Sequence, residues 1–315
     1  MRKFLLKRFL ILIPVFFGVT FLVFLLSNLA PGSPVDAMIT PDMNEAQIQD
    51  LTLRMGLDQP IVVQYAKWLG RMVRGDLGYS YRTKTAVTGV IGERIGPTLV
   101  LTGTVLILSI AVGVALGVIA AYKPYTFWDY LASGISFVGS GVPSFFLALV
   151  LIYFFSVKLR LLPTGGMYTN AATESLADLA RHMVLPVIVL TMSISGGYIR
   201  QSRSAMLEVL GEEYVKMARA RGIKERVVLL RHALRNAMLP IVTAIAMSIP
   251  FLVGGSVITE QVFGWPGMGS LMVISISNRD YPVIMGITVY ITIAVLAVNV
   301  IVDILYALLD PKIRN

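Results

Sequence analysis

The chain has 315 residues, of which 56% are hydrophobic and only 14% charged. An ordinary soluble domain carries about 25% charged residues, and disorder needs low hydrophobicity with high net charge, so both are excluded. The 27 Lys and Arg against 18 Asp and Glu give a net charge of +9, which points to a membrane surface, a nucleic acid or an acidic partner, while the absence of cysteine excludes disulfides and thiolate metal sites.

A bilayer core about 30 Å thick requires roughly 20 apolar residues in a helix. Six segments qualify in chain order: Leu10 to Ala30, Thr98 to Ala121, Gly134 to Val157, Met183 to Tyr198, Ala237 to Thr259 and Pro282 to Val302. The fourth is the shortest. The first starts like a signal peptide, with basic residues, but its apolar run is too long and no convincing small-residue cleavage site follows, so it is read as retained. The expected fold class is an all-α integral membrane protein with six transmembrane helices. It divides into a tail and first helix (1–30), a long outer loop (31–97) and a five-helix core (98–315) carrying a basic loop at 199–236.

Orientation follows from the basic residues beside the spans. With both termini cytoplasmic, the inner segments are 1–9, 122–133, 199–236 and 303–315. They hold 16 Lys and Arg and 7 Asp and Glu, whereas the outer segments hold 11 of each, so the whole +9 lies on one side. This reading makes the chain a multi-pass membrane protein with both termini cytoplasmic, in contact with lipid and with no nucleic-acid partner.

The outer loop contains two expected helices, one from about Asn44 to Met55 and one after Pro60. In the second, Ile61, Tyr65, Trp68 and Met72 share a face. That face either meets a partner or the headgroups, or packs on the outer ends of the spans; the spacing favours packing. In the second span Ser109, Gly113, Gly117 and Ala121 recur every fourth residue, a stripe that lets two helix backbones approach closely.

Chemistry is sparse. Ion relays need ionisable groups at membrane depth, and the one candidate is Asp303, which shares a face with Asn299. It suits a secondary transporter, although a place at the cytoplasmic helix end, solvated or paired with a loop arginine, is the simpler reading. His182 and His232 lie outside the spans, which leaves no intramembrane hydrolase centre and no metal cluster. No Gly-x-x-x-x-Gly-Lys-Ser/Thr loop occurs, so the chain is expected to be non-catalytic, without a bound cofactor.

The loop 199–236 holds nine basic and four acidic residues. Arg200 and Arg203 continue the fourth span and would anchor its end at the headgroups. A new helix is expected after Gly211: Glu212 and Glu213 suit its N-terminus, Lys216, Arg219 and Arg221 its C-terminal half, and Gly222 its cap. A second helical stretch should run from near Lys224 to about Pro240. A short helix with small residues at Ala218 and Ala220, closed by a glycine, suits docking into a groove of another protein better than lipid contact.

In this segment Lys216-Met217-Ala218-Arg219-Ala220-Arg221-Gly222, with Leu239-Pro240 downstream, resembles the inner-loop motif of ATP-driven importer permeases. The literal Glu-Ala-Ala is absent, and the gap to the proline is longer than in the general pattern, both as in the dipeptide, oligopeptide and nickel branch. Other segments similar to that branch are Gly75-Asp76-Leu77-Gly78, Leu162-Pro163-Thr164-Gly165-Gly166, Arg231-His232-Ala233-Leu234-Arg235-Asn236, Val262-Phe263-Gly264-Trp265-Pro266-Gly267-Met268-Gly269 and Leu305-Tyr306-Ala307-Leu308-Leu309-Asp310-Pro311. In the last of these, Asp310-Pro311 should end the final helix.

The resemblance implies a type I ABC importer permease fold and the first of two permease subunits in a binding-protein-dependent importer. It implies that Tyr214, Ala218, Arg219, Arg221 and Gly222 form a coupling helix seated in an ATPase cleft. The implied partners are a second homologous permease, two ATPase subunits carrying ATP and Mg, and an extracytoplasmic substrate-binding protein. The implied cargo is di- or oligopeptides, with nickel complexes or oligosaccharides as alternatives.

Overall fold

The computed structural model of the chain describes residues 2–29, 35, 39, 43–170, 175–253 and 257–309. Among these the fold is helical, and the only extended pairing is an antiparallel bridge between Tyr79 and Ala86. The chain divides into two compact units, one of residues 1–96 with 267–315 and one of residues 97–266.

The first unit contains α1 (Arg2–Leu29), α2 (Glu45–Met55), α3 (Ile61–Val73), the start of α4 (Val87–Tyr122), α12 (Met268–Ser277) and α13 (Tyr281–Leu309). The two outer-loop helices form as their sequences dictate. A capping box between Asn44 and Gln47 starts α2, and Gly56, at φ +68°, closes it. Tyr65 and Trp68 of α3 stack at 5.7 Å and pack on Phe16 and Phe24 of α1 and on Met285 and Val289 of α13, while Tyr65 Oη lies 2.8 Å from Thr20 Oγ1. The apolar face of α3 is therefore used within the chain. Asp303 is not at a helix end, because α13 continues past it through a run of strong helix formers to Leu309. It is half-buried and, with the exposed Asn299, lines a cleft of about 280 Å³ beside Ile11, Leu12 and Val15 of α1. The expected stop at Asp310-Pro311 lies outside the described residues.

The second unit holds the rest of α4, α5 (Phe127–Gly141), α6 (Ser144–Leu151, continued by wide π-helical turns to Lys158), α7 (Leu176–Gly211), α8 (Glu213–Ala220), α9 (Glu225–Val227), α10 (Leu234–Val253) and α11 (Val257–Val262). Its centre is α7, which packs on α5 and α10. The small-residue stripe of α4 faces α7: a Cβ on Gly117 would lie 2.5 Å from Ser202 Cβ and 2.8 Å from Ile199 O, and one on Gly113 would strike Tyr198. Ser109 is fully buried, and Ala121 packs with Ala205 and Met206.

Three expectations about the spans are corrected. The third is not one rod, because α5 and the Ser144–Lys158 helix are bent by 107° at Val142-Pro143. Proline lacks the N–H that would continue the ladder and pushes Val142 to extended φ −94°, ψ 125°. Among the described residues five further helices are long and apolar enough to cross a bilayer, six spans if the bent pair crosses as one broken span. The fourth span lies within a continuous 36-residue helix, far longer than its apolar stretch. The stretch from Glu225 does not stop near Pro240: it passes through π-helical turns at Val228–Ala233 and runs unbroken into α10. Between the last two spans, the segment Gly264-Trp265-Pro266-Gly267 is followed by α12, whose Met268 and Leu271 are buried in the core of the first unit.

Candidate coupling surface

Helix α7 ends at Gly211, and Glu212 is both its C-cap and the N-cap of α8. Eight residues are too few for a helix stable on its own. Packing supplies the rest: Val215 and Ala218, three apart, are buried against Val228, with Val209, Leu210 and Ile223 around them. At the far end the Gly222 N–H donates to Arg219 O at 2.9 Å and the Ile223 N–H to Ala218 O at 3.3 Å. This paired pattern, with Gly222 at φ +73°, is a Schellman cap and needs a residue that tolerates the left-handed region.

Of the five residues implied as docking groups, Tyr214, Arg221 and Gly222 are exposed on α8 and its cap. The Tyr214 hydroxyl accepts a hydrogen bond from Asn236 Nδ2 at 2.7 Å, which ties α8 to the start of α10. Arg219 is also exposed and is paired with Glu225 at 2.8 Å, and that carboxylate holds the guanidinium pKa above its ordinary value. Ala218 faces inward, 7% exposed, so it sets the seating of α8 and offers little outer surface. Met217, 57% exposed, belongs to the outer stripe with Tyr214 and Arg221 at helical spacing of three and four. The signal for Met217 in the sequence is the i, i+3, i+7 spacing of Tyr214, Met217 and Arg221, with Val215 and Ala218 on the adjacent, buried face.

Arg200 and Arg203 do not reach for headgroups. Arg203 Nε and Nη2 donate to Asp129 Oδ1 and Oδ2 of α5 at 2.8 and 2.9 Å, and Arg200 Nη1 donates to Ser136 and Ser140 hydroxyls at 2.6 and 2.8 Å. The physical reason is that Asp129, 5% exposed, requires a cation partner.

Two quoted motifs meet in space. The Gly166 N–H donates to Phe263 O at 2.7 Å, and a Cβ on Gly165 would lie 2.9 Å from the Phe263 carbonyl carbon, so only glycine allows the two backbones to touch. Trp265 Nε1 donates to Pro97 O at 3.0 Å, and Glu260, fully buried, accepts from the Thr98 hydroxyl at 3.3 Å. Glu260 went unnoticed because it directly follows an apolar stretch.

In the first unit Gly75-Asp76-Leu77-Gly78 is a turn: both glycines sit at φ +82°, and Asp76 Oδ1 accepts the Gly78 N–H at 2.9 Å. The chain then meets Asp280, 2% exposed, whose carboxylate accepts the Ser80 hydroxyl at 2.5 Å and the Tyr81 and Arg82 N–H groups at 2.9 and 3.4 Å. Burial, with Asp280 nearby, pushes the Tyr81 phenol up to about 12. Asp280→Ala strands three donors and is expected to cost about 3 kcal/mol, read as a lower melting temperature of the purified protein in detergent. Asp280→Asn keeps one acceptor and should lose less; equal melting of all three proteins would contradict the clamp.

Continuous helices of membrane-spanning length and one bent pair define a multi-pass membrane protein, with a short capped helix displayed at the end of α7. Residues 113–315 match the family model described as binding-protein-dependent transport system inner membrane component, and residues 1–102 match its N-terminal companion. The chain belongs to this family, the permease subunits of ABC transporters. It is 44% identical, over 100% of its length and 99% of the other's, to a candidate peptide permease of Brucella suis. It is also 42% identical to the oligopeptide transport system permease protein AppB of Bacillus subtilis, over all of both chains. Among solved structures, a chain of the MetNI methionine ABC transporter in an inward-facing conformation matches with a TM-score of 0.53 and 16% identity, over 71% of this chain and 97% of that one, a likeness of fold. This family accounts for the chain without ion coupling through Asp303.

Proposed function

We infer that this chain is one of two permease subunits of an ABC importer for di- or oligopeptides, forming half of the translocation pathway. The observation that carries the coupling role is the exposed Tyr214, Met217, Arg221 and Gly222 surface on a helix fixed to the end of α7. That surface enters the cleft of a separate ATPase subunit. ATP and Mg act there, and the chain itself is not an enzyme. ATP binds the closed ATPase pair better than the open one, closure displaces the docked α8, and α7 moves with it to switch access across the bilayer. The charge partition supports cytoplasmic termini and loop 199–236 in a bacterial or archaeal inner membrane, with an extracytoplasmic binding protein delivering cargo from the other side.

Peptide cargo is supported by the names of the full-length relatives. The test is uptake into proteoliposomes holding the complete assembly of both permeases, both ATPases and the binding protein. With mass-tagged di- to hexapeptides, Ni²⁺ and maltooligosaccharides offered together, ATP-dependent accumulation of peptides alone is expected. Accumulation of nickel or sugar without peptide would overturn the cargo assignment.

A further inference from the structure

Helix α7 does more than lead into α8. Along the half of α7 nearest α8, successive turns are fastened to α5: the Ser136 hydroxyl donates to Gly196 O at 2.8 Å, and Ile199 packs on Ala132. Arg200 holds the Ser136 and Ser140 hydroxyls, and Arg203 grips Asp129 through two parallel bonds. Asp129 also accepts the Tyr125 N–H at 3.0 Å, so its carboxylate joins α7, α5 and the turn between α4 and α5. Arg203 stands about two helical turns before the end of α7.

Stability alone does not account for this arrangement. The pair is only half-buried, with the Arg203 side chain 32% exposed, and such a pair contributes little net stability. What it adds is direction. Packed helix faces resist sliding only as far as their side chains interlock, whereas a two-bond guanidinium–carboxylate contact is lost by a displacement of about 1 Å. The hydroxyl contacts of Arg200 impose the same restriction one turn away. The restriction ends at Val142-Pro143, where the helix is broken and the backbone ladder interrupted.

We propose that Asp129–Arg203, with Arg200 on Ser136 and Ser140, is the link that delivers movement of α8 to α5, so that α5, α7 and α8 travel as one body whose motion is taken up at the Val142-Pro143 break. The proposal rests on the docking reading of α8 given above. Asp129, Arg200 and Arg203 are positioning residues in it.

The absence of cysteine allows a direct test in the complete transporter. Arg203→Gln should lower mass-tagged peptide uptake per ATP hydrolysed about tenfold, while the ATPase subunits still co-purify. Adding Ala132→Cys and Ile199→Cys and oxidising the pair replaces the lost link by a covalent one, and should return the ratio to near the wild-type value until the disulfide is reduced. The same disulfide in the otherwise unchanged protein should leave uptake intact. Should Arg203→Gln not accumulate, Arg203→Lys keeps the charge with a single contact and should give an intermediate ratio. Wild-type coupling in Arg203→Gln, no rescue on oxidation, or transport stopped by the disulfide alone each overturn the link. Met217→Glu separates the two readings: unchanged co-purification and uptake there would instead overturn docking through α8, and with it the route by which the link is driven.

Discussion

Gly222→Glu is expected to leave the permease in the membrane at normal level and to reduce ATP-driven uptake at least tenfold, by roughly 1.4 kcal/mol or more of lost coupling. Two physical effects act together and can be separated. Gly222 sits at φ +73°, where a side chain costs about 1 kcal/mol. Nothing within the chain lies within 4 Å of the position its Cβ would take, so the added group projects into open space on the outer face of the cap. Asparagine tolerates the left-handed region, so Gly222→Asn keeps the Schellman cap while adding bulk to the surface. If the surface matters, Gly222→Asn also loses coupling, though less than the acidic variant; if only the cap matters, it behaves as wild type. Wild-type uptake by Gly222→Glu would sink the docking reading altogether. The readout is uptake and ATP hydrolysis measured on the same proteoliposomes.

The second large effect comes from a single methyl group. A Cβ on Gly139 would lie 2.8 Å from the carbonyl carbon of Met192 and nearer still to its oxygen, both backbone atoms of α7. No rotamer change relieves that contact, so α5 must move away from α7. Gly139→Ala is expected to destabilise the fold by about 3 kcal/mol or more, the upper part of the overpacking range, seen as lost monodisperse yield and a lowered melting temperature. Gly134 is on the same helix with nothing within 4 Å of its Cβ position. Gly134→Ala should therefore be neutral or stabilise by about 0.5–1 kcal/mol through helix propensity. Similar behaviour of the two variants would contradict the α5–α7 contact described here.

These two glycines show where sequence reading succeeds and where it stops. Gly222 was legible because a helix cap is a local event: Glu212 and Glu213 at one end, the basic residues and Gly222 at the other, and eight residues between them suffice to write it down. The stripe Ser109, Gly113, Gly117 and Ala121 was legible as a close-approach face, since its spacing is a property of one helix. Its partner was not, because nothing local to α4 names Tyr198 or Ser202 some ninety residues away. Gly139 carries no local signal at all.

The same division explains the site residues. Tyr214, Arg221 and Gly222 could be picked from the motif, and they emerge on the exposed side. Ala218 could not be told apart from Ala220 by composition, and only the packing of Val215 and Val228 turned it inward. Arg200 and Arg203 look like headgroup anchors in the sequence because a basic residue after an apolar run normally is one. Their partners on α5 lie 60 to 74 positions earlier.

By itself, then, the amino-acid sequence determined that this protein is helical and lives in a bilayer, where the short helix after Gly211 begins and ends, and to which family it belongs. These follow from hydropathy, helix periodicity and capping, all short-range. Only the tertiary structure decided the rest. It buried Asp280 under the Ser80 turn, brought Gly165 onto Phe263 and joined Asp129 to Arg203. Each is a contact between residues far apart in the chain, made because buried polar groups need partners and helix backbones need room to meet.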